Sequence, residues 1–323
     1  MTPDRRDQVP EYMRKIKEYP GLRLENLDRA GLLYFQLEDS FRFGNEQIFL
    51  VNFAKSLINT AEMRNLENGN SHINILDPGA GAGILTVLSS AHIPNSQGVA
   101  IELMERPYEL LQANLRMNNL DKRFRAVRAD IKTLADSSAS EVSRDESNTG
   151  EHDSLDFDFQ EQFDFQEQFD LQEHFDLAIC NPPYFKQNSG PTRDLSKISE
   201  LEVSAARDEI FLSLDDYMKF VSKSLKYSGK MALLHRPERL VEIINIASKY
   251  QLYPYFLRAV LPKYGAKVKV FLLALSKGKQ RSFEWGKDLV IYNNTGEYTD
   301  EVAAYYSEVS EANEVSEVSE VEE

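Results

Sequence analysis

Three short apolar runs and one mixed, strand-like stretch in this chain each stop at a polar residue. Residues 73–76 stop at Asp77, 98–101 at Glu102, 124–129 at Asp130 and 175–180 at Asn181. Between the first three lie stretches that read as helices, 84–91 and 107–118. Apolar strands alternating with helices are buried on both faces, which predicts a parallel sheet covered by helices. Residues at the C-terminal ends of such strands line the crevice where open α/β sheets bind ligands. Asp77, Glu102, Asp130 and Asn181 are therefore the first candidates for a site.

The first strand runs into Asp77-Pro78-Gly79-Ala80-Gly81-Ala82-Gly83. Glycines let a backbone approach a ligand closely, and the amides of a following helix face polar groups. A glycine loop alone fits NAD as well. The order G-x-G-x-G behind an acidic residue favours S-adenosylmethionine over the G-x-G-x-x-G dinucleotide pattern. Glu102, about twenty positions past the glycines, suits two ribose hydroxyls. Asp130 suits an adenine amino group. The plainer readings are a surface carboxylate for Glu102 and a turn cap for Asp130.

The fourth strand runs into Asn181-Pro182-Pro183-Tyr184. Prolines donate no hydrogen bond and fix φ, so the strand stops and the chain stiffens. A carbonyl at Asn181 and one at Pro182 can accept both hydrogens of an exocyclic amine. The Tyr184 ring can stack on a planar base, with Phe185 as an apolar wall. The bland alternative is a rigid loop closing a strand. Cys180 is the single cysteine; it excludes an internal disulfide, fits a reducing cytoplasm and reads as a small buried strand residue.

A formal net charge of −15 argues against a nucleic-acid partner, but its distribution reverses that. Residues 135–174 carry −12 and 300–323 carry −9, which leaves the remaining body at +6. The first segment repeats Phe-Asp-Phe-Gln-Glu-Gln at 157–162 and 163–168, with an altered copy at 169–174. Acidity and repetition predict disorder in both segments. No run of eighteen apolar residues suggests a membrane span, the charged N-terminus lacks a signal-peptide core, and no metal site is expected.

The rest reads in order. Residues 1–21 are a flexible lead, and 22–36 an extended piece or hairpin. A helix capped by Asn45 runs to about Thr60, and 62–71 is a polar loop. Ser213 caps a helix over 214–227, ended by Ser228-Gly229. Strand 230–235 follows, then a helix opened by Arg236-Pro237-Glu238-Arg239. Strands 253–261 and 268–276 form an antiparallel hairpin, 288–292 adds an edge strand, and 299–323 is an acidic tail.

This order looks like a class I S-adenosylmethionine-dependent methyltransferase. The resemblance implies an α/β fold: a seven-stranded, mostly parallel sheet with an antiparallel last strand and helices on both faces. More specific stretches are Phe41-Arg42-Phe43-Gly44, Asn181 to Phe185 with Ser189-Gly190, Arg207 to Glu209, His235-Arg236-Pro237-Glu238-Arg239-Leu240, and Tyr292 to Tyr298. These resemble the bacterial tRNA1(Val) adenine-N6 methyltransferase family over roughly 22–302. The resemblance implies methyl transfer from S-adenosylmethionine to N6 of adenine 37 of tRNA(Val), beside the anticodon. It implies catalytic roles for Asn181, Pro182 and Tyr184. Pro183, Phe185, Lys186, Arg193, Arg236, Arg239, Lys263 and Lys267 would then meet the RNA. Phe43, Asp77, Gly79, Gly81, Gly83, Glu102, Asp130 and Asn181 would meet the cofactor. Asn45 departs from the Thr or Ser expected there. A DNA adenine methyltransferase shares the core motif but adds a target-recognition domain, which no segment here is long and apolar enough to form. A protein glutamine methyltransferase uses the same tetrapeptide without the His-Arg-Pro-Glu-Arg stretch. A cofactor-binding scaffold without activity has no need of Asn181.

Overall fold

The computed structural model describes residues 14–27, 31–38, 44–136, 171–182 and 212–307. In chain order the elements are α1 (Arg14–Lys17), β1 (Leu22–Asn26), β2 (Leu33–Leu37), α2 (Asn45–Ser56), α3 (Thr60–Glu67), β3 (Ile73–Pro78), α4 (Ile84–His92), β4 (Ser96–Glu102), α5 (Glu105–Met117), β5 (Phe124–Arg128), α6 (Ile131–Asp136) and β6 (Phe175–Cys180). Then come α7 (Leu214–Ser224), β7 (Leu225–His235), a 3-10 turn (Pro237–Arg239), α8 (Leu240–Lys249), β8 (Leu252–Lys263), β9 (Val270–Lys277), β10 (Glu284–Trp285), β11 (Leu289–Tyr292) and α9 (Asp300–Ser307).

The main sheet has the order β5-β4-β3-β6-β7-β9-β8, with β10 and β11 both on the outer edge of β8. Strands from β5 to β7 run parallel. β9 is antiparallel to both β7 and β8, so it inserts between them. This is the expected seven-stranded arrangement. The anticipated edge strand exists as β11, and β10 joins it, both parallel to β8.

Side-chain alternation explains the helices on both faces. On β9, Val270, Leu272 and Ala274 join the core beneath α2 and α4, while Phe271, Leu273 and Leu275 join the core beneath α7 and α8. On β7, Ala232 and Leu234 point one way, Met231 and Leu233 the other. Such strands must be apolar at every position, because neither face meets water. Each fully buried side chain of this kind contributes about 1.5–3 kcal/mol of burial.

Several expectations change. Residues 60–67 form a helix rather than a polar loop: Asn59 accepts from the Glu62 amide, Glu62 accepts from the Asn59 amide, and Leu66 is buried. That capping box was present in the sequence. Gly44, not Asn45, caps α2, with the Gln47 side chain accepting from its amide at 2.9 Å. Helix α7 stops at Ser224, and Ser228, at φ 63°, lies in an irregular stretch of β7 where two residues of β6 face five. The tail is helical at its start, with Val302 buried and Glu301 bonded twice to Arg258. Within the lead, Ile16 of α1 is buried against Phe35, Leu37 and Leu110.

The β1–β2 hairpin is held by two asparagines one helical turn apart, Asn114 on α5 and Asn118 at its C-cap. Asn114 bonds both the amide and the carbonyl of Phe35, and Asn118 does the same at Leu33. Asn114 also donates to the Ala82 carbonyl at 2.8 Å. One fully buried side chain thus ties the N-terminal hairpin to the glycine loop.

Candidate active site

Register places three strand ends side by side. Leu76 pairs with Ala178 and Pro78 with Ile101. Gly79 is therefore level with Asn181 on one side and Glu102 on the other, a row about 10 Å wide at ordinary strand spacing. Asp130 lies two residues past Arg128, the partner of Glu102.

The glycine loop is stitched to the end of β4. The Gly79 and Ala80 amides both donate to the Ile101 carbonyl at 2.9 Å. The Gly81 amide donates to Glu102 Oε2 and the Met104 amide to Glu102 Oε1, each at 2.8 Å. Gly79 and Gly81 have φ of 73° and 57°, a region costly for other residues. Space beside Gly81 is open within 4 Å of where a Cβ would stand. Glu102 holds the loop and still has lone pairs for a hydroxyl donor, since each carboxylate oxygen accepts more than one bond.

Asp77 lies beneath this loop, buried, and accepts from Thr86 Oγ1 at 2.6 Å. Burial pushes its carboxyl up to about 7; the Thr86 bonds pull it down and the charge of Glu102 adds to the rise. Two tyrosines that sequence reasoning missed close the floor. Tyr217 of α7 donates to the Pro78 carbonyl at 2.7 Å. Tyr34 of β2 accepts from the Ile84 amide, and its hydroxyl is pushed upward by burial and by Asp77. Burial also raises the Cys180 thiol, as suits an inert strand residue.

Asn181 differs from its neighbours. Its Oδ1 is buried and has no hydrogen-bond partner among the described residues. Buried acceptors are normally paired, and leaving one unpaired costs about 1–3 kcal/mol. Pro182 behind it is also buried. An unfilled acceptor beside an open glycine turn fits a site built for a bound cofactor and a donor group.

The other predicted residues divide. Asp130 accepts from the Lys132 amide at 2.9 Å, the turn-cap geometry. Gly83 caps α4 at φ 87°. Arg236, Lys263 and Lys267 are exposed. Arg239 is not: it is buried, with its guanidinium on Glu242 at 3.0 Å, so it packs α8 rather than facing solvent. Phe43, Pro183, Tyr184, Phe185, Lys186 and Arg193 lie outside the described residues. Among the described residues no His, Cys, Asp and Glu cluster has metal-site spacing, and no helix is long and apolar enough to cross a membrane.

A solved structure of a predicted O-methyltransferase from Agrobacterium tumefaciens shares this architecture. Its TM-score is 0.52 at 17% identity, covering 81% of this chain and 95% of that one. The chain therefore has the fold of the class I methyltransferases. In sequence it is similar to the tRNA1(Val) (adenine(37)-N6)-methyltransferases of Shewanella sp. strains MR-4 and MR-7. Each is 25% identical over 232 residues, which is 71% of this chain and 80% of the relative. The resemblance carried by the motifs is borne out by these relatives. No protein-family model matches the chain.

Proposed function

We propose that this chain methylates N6 of an adenine in tRNA, with adenine 37 of tRNA(Val) as the target, in the cytoplasm. The observation that carries the reading is the buried Oδ1 of Asn181, which has no partner among the described residues. An adenine amino group supplies the two hydrogens that Asn181 Oδ1 and the Pro182 carbonyl accept. Adenine N6 is a weak nucleophile because its lone pair is delocalised into the ring. Holding both hydrogens out of the ring plane favours a pyramidal nitrogen and frees that pair. The nitrogen then bonds the methyl carbon and releases one proton to solvent. The cofactor supplies an electrophilic methyl on a positively charged sulfur. Positioning and electrostatics therefore carry the acceleration without a dedicated base. Tyr184 stacks on the extruded base and Phe185 lines it. A base in a single-stranded loop costs little to extrude.

On this reading Asp77 and the Gly79, Gly81 and Gly83 turn face the methionine part of the cofactor. Glu102 takes the ribose hydroxyls and Asp130 the adenine amino group, with Phe43 close by. Lys186, Arg193, Arg236, Lys263 and Lys267 meet phosphates. The relatives' names support tRNA as the substrate class.

The test is methyl transfer from labelled S-adenosylmethionine to tRNA, DNA and release-factor protein in parallel, with nucleoside analysis. N6-methyladenosine in tRNA alone is expected. Label in DNA or in protein glutamine overturns the tRNA assignment.

A further inference from the structure

The β8–β9 hairpin rises well beyond the row of strand ends. Asn181 follows Cys180, which pairs with Leu233; Leu234 pairs with Leu272, and Leu272 with Arg258. Lys263, the last residue of β8, stands five residues beyond that level, about 17 Å at strand rise. The tip, residues 262–270, holds three lysines and no acid. Tyr264 at its apex is 63% exposed.

Beside it stands a column of aromatic rings. Tyr292, the end of β11, pairs with Lys263. Tyr298 lies against Tyr292 through a tight turn in which Asn293 Oδ1 accepts from the Thr295 and Glu297 amides. The rings of Tyr292 and Tyr298 stack at 5.3 Å and 13°, and Tyr298 stacks on Tyr306 of α9 at 5.3 Å and 10°. Asn45 locks the column, donating to the Tyr298 hydroxyl and accepting from that of Tyr306. Tyr292 and Tyr298 remain 38% and 37% exposed. Tyr306 packs on the main core, whereas Tyr292 and Tyr298 carry the stack outward to a solvent-facing edge beside lysines.

We propose that Tyr264 and the Tyr292–Tyr298 column form a stacking platform for unpaired bases of the RNA substrate, flanked by Lys263 and Lys267 for its phosphates. Flat rings held rigid, with basic residues between them, are what single-stranded nucleic acid binds. The platform sits three to four strands from Asn181, so it takes bases other than the one methylated. It thereby orients the strand rather than touching the reacting nitrogen. This inference rests on the tRNA reading above.

The experiment uses the full chain and unmodified tRNA transcript. Tyr264→Ala and Tyr292→Ala are each expected to raise the Kd for tRNA by about tenfold, with the S-adenosylmethionine Kd unchanged. Tyr264→Phe and Tyr292→Phe keep the ring and are expected to restore binding. Alanine at Tyr264 leaves the slope of log Kd against log salt unchanged, whereas Lys263→Ala lowers it by about one. Wild-type tRNA binding with unaltered affinity in both alanine variants overturns the platform alone. No tRNA binding by the wild type overturns the substrate reading and the platform with it. Tyr264 stands at an exposed hairpin tip, so its variant keeps the test sound even if Tyr292→Ala unfolds.

Discussion

Glu102 and Asn181 end the two strands that flank β3, and the molecule treats them in opposite ways. Both Glu102 oxygens are engaged by backbone amides of its own neighbourhood. The Asn181 oxygen is buried and engaged by nothing among the described residues. One end is finished by folding and the other is left for a visitor. On the proposed reading the cofactor side, at Glu102, is thus preorganised by folding itself. The proposed substrate side, at Asn181, instead carries an unmet acceptor, a cost of about 1–3 kcal/mol that a bound amine would cancel.

That contrast can be broken at either end. Asn181→Ala removes the open acceptor and is expected to lower methyl transfer by about 100- to 1000-fold. Cofactor affinity measured by calorimetry is expected to fall far less than turnover; unaltered turnover would refute the assignment of the centre.

Beneath the closed end, Asp77 has its folded pKa raised from 3.8 to about 7. Between those values the folded protein keeps a proton that the unfolded chain releases. The contribution of Asp77 to the stability of the cofactor-free protein is therefore full below about pH 4 and is lost as pH rises to about 7, by on the order of 4 kcal/mol. A thermal melt series should show that slope for the wild type and a flatter one for Asp77→Asn.

Glu102→Gln turns one of the two acceptor oxygens into a donor that faces a backbone amide. We expect cofactor affinity to fall by about tenfold, since a hydrogen bond to a charged group is worth about 1.5–3 kcal/mol. A matching drop in melting temperature without cofactor would show that the loop itself has loosened. The smallest effect belongs to a pair remote from both ends. Glu301→Gln, which weakens the exposed side of the Arg258 bridge, should cost no more than about 1 kcal/mol in a denaturant titration and leave turnover alone.

The strand ends were legible because an apolar run stopped by a polar residue is a local pattern. Asp77, Glu102, Asp130 and Asn181 fall at strand ends as read. What stayed illegible depended on distant partners. Arg239 reads as a surface charge until Glu242 and the packing of α8 bury it. Asn45 reads as a helix cap, but Tyr298, 253 residues away, and Tyr306 take its side chain. Tyr34 and Tyr217 sit in ordinary strand and helix patterns, and only the tertiary fold brings both to the glycine loop. The capping box at Asn59 and Glu62 was the exception, a local signal in plain view.

The described chain stops at the end of α6 and resumes at residue 171 just before β6, and both stubs are clamped to the same end of α7. Lys219 holds Asp136, Lys223 reaches the Ala135 carbonyl, and the backbone oxygens of Lys223 and Ser224 accept from the Glu173 and His174 amides. Both stubs are thereby fixed at the end of the sheet opposite the row of strand ends. Joining two fixed ends costs an entropy that grows only with the logarithm of the connecting length. The junction thus works as a splice port, where a change of length between Asp136 and Leu171 is expected to leave the row of strand ends in place.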